Sequence, residues 1–125
     1  MVPTTPSLRL RQRIQYGNAI AMGPGKVELL RQIAANGSIS AAARHMGMSY
    51  RRAWQLVETM NQCFLSPLVE TAAGGSGGGG ARITPLGEQV LALYLRIEAK
   101  TLKAVSNELS EFQGLLAAQP PSEPH

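Results

Sequence analysis

Leu8, Leu10, Ile14 and Tyr16 fall on one side of an alternation whose other side holds Arg9, Arg11, Arg13 and Gln15. A period of two over this length predicts a half-buried N-terminal strand. Its arginine face reads first as a charge guard on a sheet edge, and second as a contact for a phosphate backbone. The segment "GNAIAMGPG" that follows reads as turn, with Gly23-Pro24-Gly25 as a break. From Lys26 the period changes: Val27, Leu30, Ile33 and Ala34 recur at helical spacing up to an Asn36-Gly37 stop. A second helix follows, with Ser38 or Ser40 able to cap it, three alanines inside it and Gly47 to end it. A third starts after Ser49, and Ala53, Leu56, Val57, Met60 and Phe64 line one of its faces.

Beyond Ser66-Pro67 the pattern shortens. "LVE" and "ARI" are two brief strand candidates, and between them Gly74 to Gly80 is glycine at every position but Ser76. That is hairpin geometry. Thr84-Pro85 predicts a helix start, with Thr as cap and Pro at the first helical position. No proline interrupts residues 85–116, which unbroken would make a rod of about 48 Å. The tail, residues 117–125, is proline-rich and is expected to be disordered.

Three helices followed by a hairpin make a winged helix. The expected class is mainly α (α+β): a winged helix-turn-helix with an N-terminal strand, a β-hairpin wing and a long C-terminal dimerisation helix. Residues 1–84 would form the DNA-binding domain, 85–116 the dimerisation helix and 117–125 the tail. Ala43, Gly47, Ala53 and Leu56 supply the small residue, the turn and the apolar seat of a helix-turn-helix, and Met46 and Met48 plug the space beneath the turn. A recognition helix turns its first residues to the base edges. Here those are Ser49, Tyr50, Arg51 and Arg52, with Gln55 one turn on. Arginine can pair with guanine, glutamine with adenine, and tyrosine can reach a phosphate. Arg44, on the preceding helix, suits a backbone contact. Trp54 reads first as packing across the helix pair and second as a stack at the sugar-phosphate edge.

The apolar arc of the last helix, Val90, Leu93, Tyr94, Ile97, Leu102, Val105 and Leu109 among others, is wider than one packed face needs. A second copy of the chain would cover it and set two recognition helices about 34 Å apart on a near-palindromic site.

Charge agrees with a polyanionic partner. The net charge is +4, and residues 1–60 carry eight basic residues against two acidic ones. A single cysteine, Cys63, excludes an internal disulfide and reads as a small buried hydrophobe. With no secretory signal and no apolar run long enough to span a bilayer, a cytoplasmic setting is expected. No lysine follows the glycine run as a P-loop requires. His45 and His125 are the only histidines, so no metal cluster, nucleophile–base pair, cofactor or small-molecule ligand is evident, and an enzyme is not expected.

"GSISAAARHMGMSYRRAWQLVETMNQ", followed by "LVETAAGGSGGGGARITPLGEQVL", resembles the N-terminal DNA-binding half of ModE-type molybdate-responsive transcription regulators, winged-helix proteins akin to the LysR DNA-binding domain. The resemblance runs from about Leu8 to Glu111, and its most specific part is the glycine wing. It implies a dimer joined by the final helix, with the wing reaching towards DNA. Full-length members continue into molybdate-binding β-barrel domains. This chain stops near His125, so the resemblance supports DNA binding and not molybdate binding by this polypeptide. Where members can carry a lysine in the wing, this chain has Ser76, which leaves Arg82 at the wing's base as the nearby cation. Two other readings remain: a protein-interaction module that pairs with a full-length relative, and, more distantly, an oxyanion sensor built on the glycine loop.

Overall fold

The helical period that begins at Lys26 is realised as three consecutive helices: α1 (Pro24–Asn36), α2 (Ile39–Met46) and α3 (Tyr50–Cys63). The structure, a computed structural model, describes residues 8–72 and 80–122. Pro24 opens α1 at its first position, where its missing N–H has no helical partner to lose, so the Gly23-Pro24-Gly25 break is a helix start. Gly37 and Gly47 close α1 and α2 at φ of 69° and 68°, and each donates its N–H back to the preceding helix. Of the two candidate caps for α2, Ser38 serves: its hydroxyl accepts the Ala41 N–H at 2.9 Å. Ser49 does the same for α3, accepting from Arg52 at 3.1 Å.

The buried faces of these helices meet. Leu29, Leu30 and Ile33 of α1, Ile39, Ala42 and Ala43 of α2, and Ala53, Val57 and Met60 of α3 form one apolar core. Met46 and Met48 pack against it beside the Gly47 turn. The expected inward residue Ala34 is exposed, and Leu29 takes the buried place on α1.

The N-terminus departs from the alternating pattern. Only Ile14–Tyr16 forms a strand, β1, and its partner is β2 (Ala19–Met22), a segment expected to be turn. The two are antiparallel, with an irregularity between Ile14 and Gln15. Gly17, at φ of 61°, provides the first position of the two-residue turn between them. Leu10, Ile14 and Tyr16 are exposed, so the apolar side of the alternation is not buried within the chain, whereas Ala21 and Met22 of β2 are.

The second hairpin pairs β3 (Val69–Thr71) with β4 (Ala81–Ile83), Val69 opposite Ile83 and Thr71 opposite Ala81. Its base is tied to α1 by the Ala81 N–H, which donates to the Gly37 carbonyl at 2.9 Å. Ser76 and the glycines before Gly80 lie outside the described residues. Asn61 organises the approach to β3: its side-chain oxygen accepts from the backbone N–H of Leu68 at 2.8 Å and of Val69 at 3.1 Å, and its amide donates to the Val69 carbonyl.

Thr84 caps the last helix and locks it to the hairpin, since its hydroxyl accepts from Gly87 at 3.0 Å and donates to the Pro67 carbonyl at 2.8 Å. The expected rod of 85–116 is divided into α4 (Pro85–Ala104) and α5 (Ser106–Gln113). Val105, between them, leaves helical geometry at φ −108° and ψ 15°. The hydroxyls of Thr101 and Ser106 donate to the carbonyls of Ile97 and Lys103. Such side chains compete with the backbone ladder and bend helices.

Candidate nucleic-acid interface

α3 lies with one side in the core and the other open. Arg51, Gln55, Glu58 and Gln62 recur at steps of three or four and are all exposed, opposite the buried Ala53, Val57 and Met60. The core thus fixes which side of the helix is presented. Its first turn is exposed, and there the backbone N–H groups favour an anion. Arg44, at the last turn of α2, is exposed as well.

Tyr50, Arg51 and Arg52, grouped in the sequence, are distributed around the helix. Tyr50 and Trp54, 56% and 39% exposed, border a crevice shared with Ser38, Ser40, Thr71 and Ala72, between α3 and the second hairpin. Trp54, read first from the sequence as packing across the helix pair, is part-exposed and borders this crevice beside Ser38, Ile39 and Ser40 at the start of α2 as well as the hairpin. Arg52 borders a different groove, with Arg11, Arg13, Met48 and Leu56.

Arg82 is paired rather than free. It lies directly opposite Glu70 in the hairpin, and its guanidinium meets the Glu70 carboxylate at 3.2 Å on an exposed surface. Ser76 lies outside the described residues. Lys26, counted among the cations of the front half, is turned inward: its ammonium donates to the Ile20 carbonyl. Burial lowers its pKa, partly offset by Cys63.

The residues expected at a subunit contact separate into two kinds. Leu93, at 48% exposure, Leu102, at 50%, and Ile97 present apolar surface on α4. Tyr94 does not: it is 2% exposed and belongs to the chain's own core. The helix turns about 100° between neighbouring residues, which separates Leu93 from Tyr94. The Tyr94 hydroxyl donates to the Gln12 carbonyl at 2.5 Å. Val90 also packs against the core, while Val105 and Leu109 are half-buried at and beyond the joint with α5.

Sequence reasoning missed Asn61, whose spacing to Leu68 carries no periodic signal, and the approach of Arg11 and Arg13 to Arg52, which depends on the path of the first segment. Among the described residues no group of three or more His, Cys, Asp or Glu could hold a metal ion, and no helix is long and apolar enough to cross a membrane.

A family model described as bacterial regulatory helix-turn-helix protein, lysR family, matches residues 25–88, from the start of α1 into α4. The chain is 49% identical over 86 residues to the molybdenum-pterin-binding protein MopB of Rhodobacter capsulatus, covering 69% of this chain and 32% of that protein. It is 37% identical over 115 residues to the transcriptional regulator ModE of Yersinia pestis, covering 90% of this chain and 41% of that protein. Among solved structures, ArgP from Mycobacterium tuberculosis overlaps 72% of this chain and 30% of its own, at 22% identity and a TM-score of 0.45. The chain spans between 32% and 41% of the length of these two curated relatives.

Proposed function

The chain belongs to the lysR family of bacterial regulatory helix-turn-helix proteins, and on that premise we propose that it is a ModE-like, sequence-specific DNA-binding transcription regulator. It binds a near-palindromic operator as a homodimer and serves molybdenum-related gene control. The names of its relatives support the last point.

The observation that carries this reading is the presentation of α3. Its apolar side is held by the core, while Arg51 and Gln55 stand exposed one turn apart at its open end. In the major groove Arg51 would pair with guanine and Gln55 with adenine. Ser49, Tyr50, Arg52 and Arg44 would meet phosphates. Arg82 would add a contact by exchanging Glu70 for a phosphate oxygen.

Titration of duplex DNA at several salt concentrations tests this. Affinity should fall steeply as salt rises, because each neutralised phosphate releases counterions. A chain that fails to bind duplex at low salt would overturn the reading. Arg51→Ala should cost about 1–3 kcal/mol at one base position and relax preference there. Equal weakening on all sequences would make Arg51 a phosphate anchor instead.

A further inference from the structure

We propose that Arg11, Arg13 and Arg52 form a phosphate-gripping groove on the flank of α3 that faces away from the second hairpin. The proposal rests on the DNA-binding reading above and assigns the partner of a surface that the recognition helix alone does not explain.

The three arginines come from two distant parts of the chain and border one open groove. Its floor includes the apolar side chains of Ile20, Met48 and Leu56, and no acidic residue lines it. Among the described residues the one ion pair is Arg82–Glu70, on the hairpin. Like charges gathered around a concave surface concentrate positive potential. The Arg13 stem also lies against the Gly23 backbone: a Cβ on Gly23 would come 3.3 Å from its Cγ and 3.7 Å from Ile20 Cγ2. The glycine lets the arginine stem lie close across the turn into α1.

The alternative use of these charges, guarding a strand edge, does not fit their position. Arg11 and Arg13 precede the paired residues, which are Ile14–Tyr16. There is no ladder at Arg11 or Arg13 to protect.

Geometry then selects the occupant. A helix with its side chains is roughly 10–12 Å across, and the major groove is about 12 Å wide. A helix seated there has a row of phosphates along each flank. Positions 50 and 52 of a helix point about 200° apart. Tyr50 borders the hairpin crevice and Arg52 the arginine groove, so the two flanks of α3 carry different equipment. The hairpin side offers hydroxyls, aromatic rings and backbone, and the opposite side offers guanidinium groups, which suit phosphate oxygens bidentately.

The test compares wild type with Arg11→Gln/Arg13→Gln, the single Arg13→Gln and Arg11→Lys/Arg13→Lys, each checked for native circular dichroism. Affinity for operator and for unrelated duplex is measured against salt. The double glutamine variant should lower the slope of log K on log salt by about 1.8 per subunit, two phosphates at about 0.9 each. It should weaken both duplexes by the same factor. The single variant should give about half that change in slope, and the lysine variant should retain the wild-type slope. An unchanged slope in both glutamine variants overturns the proposal while leaving the DNA-binding reading standing, as does a loss confined to one base position. Absence of duplex binding by the wild type removes the reading itself and the groove's role with it.

Discussion

Gly87 marks the closest approach between two backbones at the start of α4. A Cβ there would lie 2.4 Å from the Leu68 carbonyl oxygen and 2.6 Å from Ile83 Cγ2. The oxygen belongs to the backbone and already accepts the Thr84 N–H at 2.9 Å, so it cannot move aside. Gly87→Ala should therefore destabilise the fold by about 1–3 kcal/mol, the usual cost of overfilling a packed site. Gly25, also in the first turn of its helix, has nothing within 4 Å of the same added atom. Gly25→Ala should be neutral or stabilising by under about 1 kcal/mol. Urea unfolding of the two variants compares close approach with simple backbone freedom. Equal effects would mean that the Leu68 contact is not limiting.

An element can serve two masters when its faces differ, and α4 does. Leu86, Val90, Leu91, Tyr94 and Leu95 pack on or in the core, which leaves Leu93, Ile97 and Leu102 exposed. A contact with a second copy, if made through α4, uses this narrower set. Leu93→Glu should leave the fold intact, because nearly half of that side chain is already open, and should convert a dimer to a monomer in sedimentation velocity. Tyr94→Ala, by contrast, should destabilise the monomer itself by about 3–5 kcal/mol, the range for an aromatic core truncation. A Leu93→Glu protein that sediments as the wild type does would exclude this part of α4 from any subunit contact.

Across the whole molecule, the first described segment is tied to α4 by two bonds, Tyr94 hydroxyl to Gln12 carbonyl at 2.5 Å and Gln12 amide to Thr101 hydroxyl at 3.3 Å. These ties bring Arg11 and Arg13 to the groove beside α3, so the proposed phosphate grip depends on a residue of the last long helix. Burial, then Glu98, raises the Tyr94 pKa above its ordinary value near 10, against a lowering by Arg11. The neutral phenol is thus favoured in the folded state. Its stabilising contribution is complete below the ordinary value and is lost as pH rises through the raised one. Lys26, with a lowered pKa, acts in the opposite sense and is common to both proteins compared. Tyr94→Phe should lose about 1 kcal/mol at neutral pH, and its stability should decline less steeply than that of the wild type above about pH 10. Parallel alkaline profiles would show that Tyr94 ionisation is not coupled to folding.

The sequence by itself determined the three helices, the Ser49 cap, the glycine stops and the Thr84-Pro85 start, because each is set by contacts within a few residues, and the glycine run between two short apolar pieces marked the second hairpin. It also determined the presented stretch of α3, since helical spacing of Ala53, Val57 and Met60 dictates the opposite face. Only the tertiary structure decided what depends on chain path and shared space. The alternation of Leu8–Tyr16 has the right period for a strand, but strand formation needs a partner, and β2 meets only Ile14–Tyr16. Tyr94 has the same apolar spacing as its neighbours on the arc, yet packing against the core assigns it inward. Helical spacing turns Arg52 away from Tyr50, but no local signal tells that Arg11 and Arg13 border the same groove. That meeting is produced by residues far apart in sequence, which no periodicity encodes.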